Sequence, residues 1–372
     1  MNKTRLAIIL GLFLLLCFYI PCAEPSAGDG DHIAGRNYDF LDQKGKLVTI
    51  TSRRPFIGDE IITAGGLHYR VASVQEKTAR VKLVGKEKEY LALVKYYNSL
   101  KIVPAAAGEW AERPVAVYHT HTAESYLPTD GASSIPFKGG IFQVGNTFRD
   151  ALKDERVKVL YDRTPHDPHD ANAYYRSRRT AAQLLKENPV AIFDVHRDGV
   201  DDPEFYRRIV SDKNVAQMRL VVGRQNPKME ANLDFAKRLL AFGNKQHPEL
   251  LKEIYIARGN YNQDLLSTAL LIEAGTYTNE KWQAESGITL LASSVPVLLG
   301  LDTPAEGITG EDAGRQGWKT ALFLIMLLML ALVGFIVINI PGVNVKGYLQ
   351  KQYEKYVLVL EKYIAKVRKK VR

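Results

Sequence analysis

Hydrophobic and polar positions divide the chain into two long apolar runs near its ends and a middle region of mixed periodicity. Residues 7–20 are almost purely apolar, and residues 320–340 form an uncharged run rich in Leu, Ile, Met, Phe and Val. The second run is long enough to cross a hydrocarbon layer of about 30 Å. The pattern predicts two membrane-spanning helices, a signal anchor over residues 1–23 and a second helix over residues 320–340.

The middle region changes rhythm near residue 108. Residues 36–105 consist of short strand-like runs separated by turn residues, which predict a small β module. Over residues 112–300, apolar runs of strand length alternate with helical stretches. This pattern predicts an α/β domain with a mostly parallel sheet flanked by helices on both faces. Polar, Gly-rich segments at 24–35 and 301–317 are typical of linkers. The helices predicted most clearly are Gln143–Lys153, Tyr174–Glu187 and Met229–Phe242.

The positive charge is concentrated at the two ends of the chain. The formal net charge is +9, and residues 346–372 contain nine Lys or Arg and two Glu. Lys3 and Arg5 account for the remaining excess, so the middle is formally neutral. We therefore expect no nucleic-acid partner. The positive-inside rule places both termini in the cytoplasm and the middle region outside, with residues 346–372 as a basic amphipathic tail helix on the inner membrane surface.

The positions of the cysteines indicate the cellular compartment. The two cysteines, Cys17 and Cys22, lie in or beside the first apolar run, so the region expected outside contains no disulfide. A secreted animal domain usually contains several disulfides. An extracytoplasmic domain without them is typical of a bacterial envelope protein that folds on its hydrophobic core alone.

Three predicted strands end in residues suited to metal binding or acid–base chemistry. Val115–Tyr118 leads into a segment containing His119, His121 and Glu124, Ala191–Val195 leads into His196, and Leu270–Ile272 leads into Glu273. Ligand sites of open α/β sheets lie outside the carboxyl ends of the strands. The pattern therefore predicts that these side chains converge in one cleft.

Two imidazoles and one carboxylate, with a fourth position open, are a common catalytic zinc set. We take His121, Glu124 and His196 as candidate zinc ligands, with His119 as the rival of His121. Glu273 is the candidate catalytic acid/base, which would take a proton from water and pass it to a leaving nitrogen. The set predicts amide hydrolysis. Glu273 could instead form an ion pair with a buried arginine.

Other residues near these strand ends have weaker assignments. Arg197 could bind a substrate carboxylate, Asp198 could orient an imidazole, and Asn262 could line the groove. The Pro-interrupted segment around His166 and His169 is expected at the lip of the cleft. No Gly-rich phosphate loop and no Gly-x-Ser-x-Gly motif occurs in the chain, which disfavours nucleotide hydrolysis and serine chemistry.

Several ordered motifs resemble the stage II sporulation protein P family over about residues 112–300. They are Val117-Tyr-His-Thr-His-Thr-Ala-Glu-Ser-Tyr126, Asp162-Arg-Thr-Pro-His-Asp167, Tyr175-Arg-Ser-Arg178, Phe193-Asp-Val-His-Arg-Asp198, Tyr261-Asn-Gln-Asp264 and Leu271-Ile-Glu-Ala-Gly275. That family is similar to zinc-dependent N-acetylmuramoyl-L-alanine amidases. The resemblance implies that His121, Glu124 and His196 hold zinc and that Glu273 is the catalytic acid/base.

The resemblance also implies a substrate and partners. The substrate would be peptidoglycan, cut between the lactyl group of muramic acid and the stem peptide, with cross-link endopeptidase activity in addition. A lytic transglycosylase and a membrane scaffold protein would cooperate with it during engulfment of the forespore. The alternative is a non-catalytic cell-wall-binding adaptor with a structural metal site.

Overall fold

A computed structural model of the protein describes residues 33–100, 112–170 and 172–301, with a few helical positions between 326 and 357. The chain divides into two compact units, Met1–Thr303 and Pro304–Arg372. The fold set out below is that of the first unit. In the second unit the described residues are isolated helical positions such as Met326 and Gln350.

Thirteen strands are found in the described part of the first unit. They are β1 (Tyr38–Leu41), β2 (Leu47–Thr51), β3 (Glu60–Thr63), β4 (Leu67–Gln75), β5 (Thr78–Lys86), β6 (Val115–Tyr118), β7 (Val159–Tyr161), β8 (Ala191–Asp198), β9 (Arg207–Val210), β10 (Lys213–Ala216), β11 (Met218–Gly223), β12 (Leu251–Ala257) and β13 (Ala269–Thr276). Strands β9 and β10 form a separate hairpin, and the other strands make one sheet.

Helices of the same unit connect these strands. They are α1 (Lys88–Ser99), the single turn α2 (Leu127–Asp130), α3 (Ile141–Asp154), α4 (Ala173–Leu184), α5 (Met229–Gln246) and α6 (Lys281–Leu299), with 3-10 turns at Leu185–Glu187, Pro203–Phe205 and Gln263–Leu265. Helices α1, α3, α5 and α6 contribute to the largest hydrophobic core on one face of the sheet. Helix α4 packs on the opposite face, against Ala116 and Tyr118 of β6 and Ile192 of β8.

The sheet has eleven strands in the order β2-β1-β5-β4-β3-β12-β11-β13-β8-β6-β7. The end formed by β13, β8, β6 and β7 is parallel. The hairpins β3–β4–β5 are antiparallel, and so are the pairs of β3 with β12 and of β11 with β13. The prediction of a mostly parallel sheet is therefore wrong, because β3, β4 and β5 enter the sheet as antiparallel hairpins and β11 pairs antiparallel with β13.

The N-terminal strands also pack across one face of the sheet. Phe40 of β1 contacts the ring of Tyr255 in β12 edge to face at 5.7 Å. A second hydrophobic core unites side chains of β1 to β5 with Val221 and Leu271 of the central strands. The strands predicted as a small β module thus share a core with the central strands, on the face opposite the large helical layer.

The fold prediction also included two membrane-spanning helices. Residues 1–23 lie outside the described residues, and so does 320–340 apart from Met326. Within the part of the chain that the structure describes, no helix has both the length and the apolar character needed to cross a membrane. The structure thus gives the predicted spans no support, and the fold prediction is corrected on this point too.

Candidate metal centre

Three of the residues predicted from strand ends meet in the structure. His121 and Glu124 follow β6 directly, and His196 lies in β8, the strand paired with β6. One ligand atom from each of these residues lies within 4.8 Å of the other two. All three side chains are buried. The end of the parallel strands therefore presents two imidazoles and a carboxylate to a common point, as expected for ligand sites in such sheets.

The distances within this group fit a small divalent cation. Nδ1 of His121 lies 3.2 Å from Oε1 of Glu124, and Nδ1 of His196 lies 3.4 Å from the same oxygen. Ligand atoms about 2.0–2.1 Å from a tetrahedral zinc ion stand about 3.3–3.4 Å apart. The donor types and their spacing both fit a metal ion.

Neighbouring groups fix the orientation of the side chains of His196 and Glu124. Oδ1 of Asp194 lies 2.8 Å from Nε2 of His196, the ring nitrogen that faces away from Glu124. Asp194 is itself held by Thr120, whose backbone N–H and hydroxyl donate at 2.8 and 2.6 Å. Oε2 of Glu124 accepts from the backbone N–H of Arg197 at 2.9 Å. Such outer contacts set the tautomer and direction of a metal-ligating imidazole.

The electrostatics of the group favour a positive charge. Burial would lower the pKa of His196, but the carboxylates of Asp194 and Glu124 outweigh it and raise this pKa well above its usual range. Burial would likewise raise the pKa of Glu124, but His196 and His121 bring it well below its usual value. Two buried carboxylates thus stabilise either a proton on His196 or a metal cation in the same place.

His121 is neutral and tightly packed. Burial and the neighbouring His169 lower its pKa well below the usual range. The rings of His121 and His169 stack with centroids 3.8 Å apart, and Tyr174 meets His121 edge to face at 5.3 Å. A neutral imidazole is the form that binds metals. His169, in the loop predicted at the lip of the cleft, therefore lies directly against a candidate ligand.

Glu273 lies beside His196 in the next strand. The two residues are register partners in the parallel pair of β8 and β13. Leu271, two residues before Glu273, packs with the N-terminal strands, so the side chain of Glu273 lies on the same face of the sheet. Burial and the carboxylate of Asp198 raise the pKa of Glu273 to about 8. Nη2 of Arg53 lies 3.4 Å from Oε1 of Glu273. The sequence-based alternative of a buried arginine partner is thus present, together with the predicted proximity to His196.

Comparison with known proteins identifies the family to which the chain belongs. The model of stage II sporulation protein P matches residues 69–295, more than half of the chain. The chain belongs to the stage II sporulation protein P family. A curated relative, stage II sporulation protein P of Bacillus subtilis (strain 168), is 29% identical over 187 residues, which cover 45% of this chain and 46% of that protein. The match thus spans less than half of the relative's length.

Most residues of the candidate metal centre lie in the part of the chain that matches the stage II sporulation protein P model. His121, Glu124, His196 and Glu273 all lie within residues 69–295. Arg53 precedes the matched region, although its side chain touches Glu273. The site is therefore assembled partly from strands that the family match does not include.

His119, the rival of His121, lies in a different environment. Its Nδ1 lies 2.7 Å from the backbone oxygen of Val195, and its Nε2 lies 2.9 Å from the hydroxyl of Tyr161. Burial lowers its pKa to about 4. Gly145 faces this ring so closely that a Cβ there would come within 2.3 Å of Nε2. His119 thus packs between β8 and α3, and the cation-sized group contains His121 instead.

The two predicted substrate-binding residues make contacts within the protein. The guanidinium of Arg197 donates to the backbone oxygens of Ser125 and Ser133 at 3.2 and 2.7 Å and is buried. Nδ2 of Asn262 donates to the backbone oxygen of Tyr174 at 3.1 Å. These contacts secure the segment around Glu124 and the start of α4. A role of either residue in substrate binding stays a prediction.

The carboxylate of Asp198 is held by side chains from several elements. Its Oδ1 accepts from the backbone N–H and hydroxyl of Ser52 at 3.0 and 2.6 Å. Its Oδ2 accepts from Tyr206 at 2.9 Å and from Arg219. Asp194, which was not singled out from the sequence, lies next to His196, and a role of Asp198 in orienting an imidazole stays a prediction. The sequence contains a signal for Asp194, because a residue two positions before His196 in a strand lies on the same face of the sheet as His196.

Proposed function

We propose that this chain is a zinc-dependent peptidoglycan hydrolase that acts in sporulation and cleaves the amide bond between N-acetylmuramic acid and the L-Ala of the stem peptide. The observation that carries the proposal is the convergence of His121, Glu124 and His196 within 4.8 Å, with Glu273 in the adjacent strand position. The membership of a sporulation protein family supports the biological context. Peptidoglycan lies outside the cytoplasm, so the site would work there.

Zinc is the proposed metal because two imidazoles and a carboxylate are its usual ligands in hydrolases. When bound, such an ion supplies Lewis acidity, which polarises an amide carbonyl and acidifies water. His121, His196 and Glu124 would hold it, and Asp194 would orient His196. Imidazole and carboxylate also accept other divalent ions, so metal identity is part of the test.

Glu273 would move the proton that amide cleavage requires. Its carboxylate would accept a proton from the attacking water and then donate it to the leaving nitrogen. Burial raises the pKa of this carboxyl, which favours the protonated form that donates to an amine leaving group. The nearby Arg53 guanidinium lowers this pKa and so favours the ionised form needed for the first step.

The proposed reaction also supports one of the two proposed partners. Removal of stem peptides leaves peptide-free glycan, the material that a lytic transglycosylase would then cut. We keep that enzyme class and a membrane scaffold protein as proposed partners. Cross-link endopeptidase activity is proposed for the same centre, since both reactions hydrolyse an amide bond.

Product analysis tests the proposal directly. Purified peptidoglycan is incubated with the full-length chain loaded with zinc, and the soluble products are identified by mass spectrometry. Free stem peptides and peptide-free glycan indicate the amidase. Separated cross-links with peptides still on glycan indicate an endopeptidase alone, and no release by zinc-loaded protein indicates a wall-binding adaptor.

Three variants connect the products to the site. Glu273→Gln should retain zinc and lose about 10²- to 10⁴-fold in turnover, the usual contribution of a general acid/base. His196→Ala should lose both zinc and turnover. His247→Gln is the matched control, because His247 contacts Ser211 and Ser293 instead of the metal centre. Retention of full turnover by Glu273→Gln would contradict the assigned role.

A further inference from the structure

The segment that follows β2 enters the candidate site from the N-terminal strands. Ser52 is fully buried, and its two hydrogen bonds to Oδ1 of Asp198 fasten this segment to the end of β8. The same hydroxyl accepts from the backbone N–H of Gly199 at 2.9 Å. Asp198 lies two residues after His196. The segment is therefore anchored to the strand that carries a candidate metal ligand.

This anchoring holds Arg53 over the catalytic candidate. Arg53 is 2% exposed, whereas the next residue, Arg54, is exposed. The Arg53 guanidinium reaches Glu273 and lies 4.6 Å from the centroid of the Tyr261 ring. A planar guanidinium stacked on an aromatic ring has few orientations, so its hydrogen-bonding direction is defined. The carboxylate that it touches is thereby restricted to one direction as well.

Stability alone does not account for this arrangement. A buried ion pair loses the hydration of both charges, and replacing such a pair by apolar residues is often neutral or stabilising. A proton-transferring carboxylate, in contrast, must lie within hydrogen-bond reach of water and of the leaving nitrogen. A misplacement of about 1 Å can lower the rate about 10²-fold. A fixed partner for Glu273 meets that requirement.

We propose that Arg53 is a positioning residue for Glu273, and that the N-terminal strands consequently form part of the hydrolytic site. The inference rests on the proposed function, since it assigns Glu273 the proton transfer. It extends the site beyond residues 69–295, the part matched by the family model. In this assignment Arg53 acts through Glu273 and is not itself a metal ligand.

The test uses full-length Arg53→Met, Arg53→Lys and, as the matched control, Arg54→Met. Zinc content, KM and kcat are measured with soluble peptidoglycan fragments. We expect Arg53→Met to keep its zinc and its KM and to lose about 10²-fold in kcat. Arg53→Lys should recover part of that loss, because it restores the charge without the planar fork. Arg54→Met should match the unmodified protein.

A second measurement does not depend on turnover. Thermal unfolding of the metal-free protein is followed for Arg53→Met, for Glu273→Gln and for the double variant. If the two side chains act on each other, the double variant loses less in Tm than the two single losses together. The pair of Arg54→Met with Glu273→Gln should be additive.

The outcomes distinguish failure of this inference from failure of the proposed function. An active protein whose Arg53→Met variant keeps its kcat, or whose Arg53 and Glu273 losses add in Tm, overturns this inference alone. Zinc-loaded protein that releases nothing from peptidoglycan overturns the proposed function, and the inference falls with it. Loss of zinc from Arg53→Met would show that Arg53 supports the metal ligands instead of Glu273, and would also overturn the inference.

Discussion

Replacement of Asp194 by Asn isolates the contribution of one charge to the metal centre. Oδ1 of Asp194 faces Nε2 of His196 and also accepts from the N–H of Thr120, whereas Oδ2 accepts from the Thr120 hydroxyl. An asparagine can keep its oxygen in the Oδ1 position. The Thr120 hydroxyl can then accept from the new amide, since it also exchanges a hydrogen bond with Ser177 at 2.8 Å. Asp194→Asn therefore removes the charge and preserves the shape.

The expected magnitude follows from this geometry. Loss of an outer partner of a metal-ligating histidine typically lowers metal affinity about 10- to 100-fold. At about 1.4 kcal/mol for each factor of ten, this corresponds to about 1.4–2.8 kcal/mol. Because Asp194 also raises the pKa of His196, the variant binds the competing proton less strongly. The loss in affinity should therefore be larger at mildly alkaline pH than at mildly acidic pH.

Competition with a chromophoric chelator measures this affinity in the full-length protein. Asp59→Asn is the control, because Asp59 is also buried and accepts from Arg224 and Tyr255 at 2.9 and 3.0 Å, in contacts that do not involve His196. The control should keep its zinc affinity. Unchanged affinity in Asp194→Asn, or an equal loss in both variants, would refute the assigned role of Asp194.

Three further changes test other parts of the structure. Gly139→Ala should lower zinc affinity, because its Cβ would lie 2.4 Å from the backbone oxygen of Glu124, whereas Gly65→Ala, whose nearest neighbour is 3.8 Å away, should not; equal affinities would contradict this. Lys252→Met should raise Tm at neutral pH by the equivalent of about 1–2 kcal/mol. Burial lowers the pKa of Lys252 from 10.5 to about 8, so the charge costs the folded state about 3 kcal/mol. Loss of the contact between Nζ and the Phe205 ring, 3.9 Å from its centroid, offsets about 1–2 kcal/mol of the gain. In the unmodified protein that cost disappears as pH rises from about 8 to about 10.5, so the Tm values of the unmodified protein and of Lys252→Met should converge over this range. A constant difference in Tm between the two proteins would refute the assigned cost. Phe148→Ala should lower the free energy of unfolding by about 3–5 kcal/mol in denaturant titrations, because Phe148 is fully buried, and a loss near zero would contradict its place in the core.

Strands β6 and β8 of the candidate site were predictable because each begins as a largely apolar run that leads into polar residues. β6 was predicted with its observed bounds, Val115–Tyr118, and β8 extends three residues beyond the predicted Ala191–Val195. Both faces of these strands are buried, so nearly every position of the predicted runs is apolar and the runs stand out in the sequence. The positions of His121 and Glu124 after one strand and His196 in the next followed from that reading.

Strand direction and helix α1 were not predictable from the same patterns. Alternation of polar and apolar residues identifies a strand but is the same in parallel and antiparallel pairs, so the mixed sheet was missed. Within Lys88–Ser99, helix α1 buries only Tyr90 and Tyr97, too few positions to define a helical stripe. Arg53 was missed for another reason: its contact with Glu273 spans 220 residues, and a lone arginine after a strand carries no local signal.

The 220-residue separation between Arg53 and Glu273 has a consequence for biosynthesis. A ribosome must release almost the entire first unit before the last strand of the centre can pair with β8. Until then, a nascent chain holds His121 and Glu124 without their companion carboxylate from β13. The contact between Arg53 and Glu273 therefore forms only after nearly all of the first unit has been synthesised, so no fragment of this unit that ends before β13 can assemble the complete site.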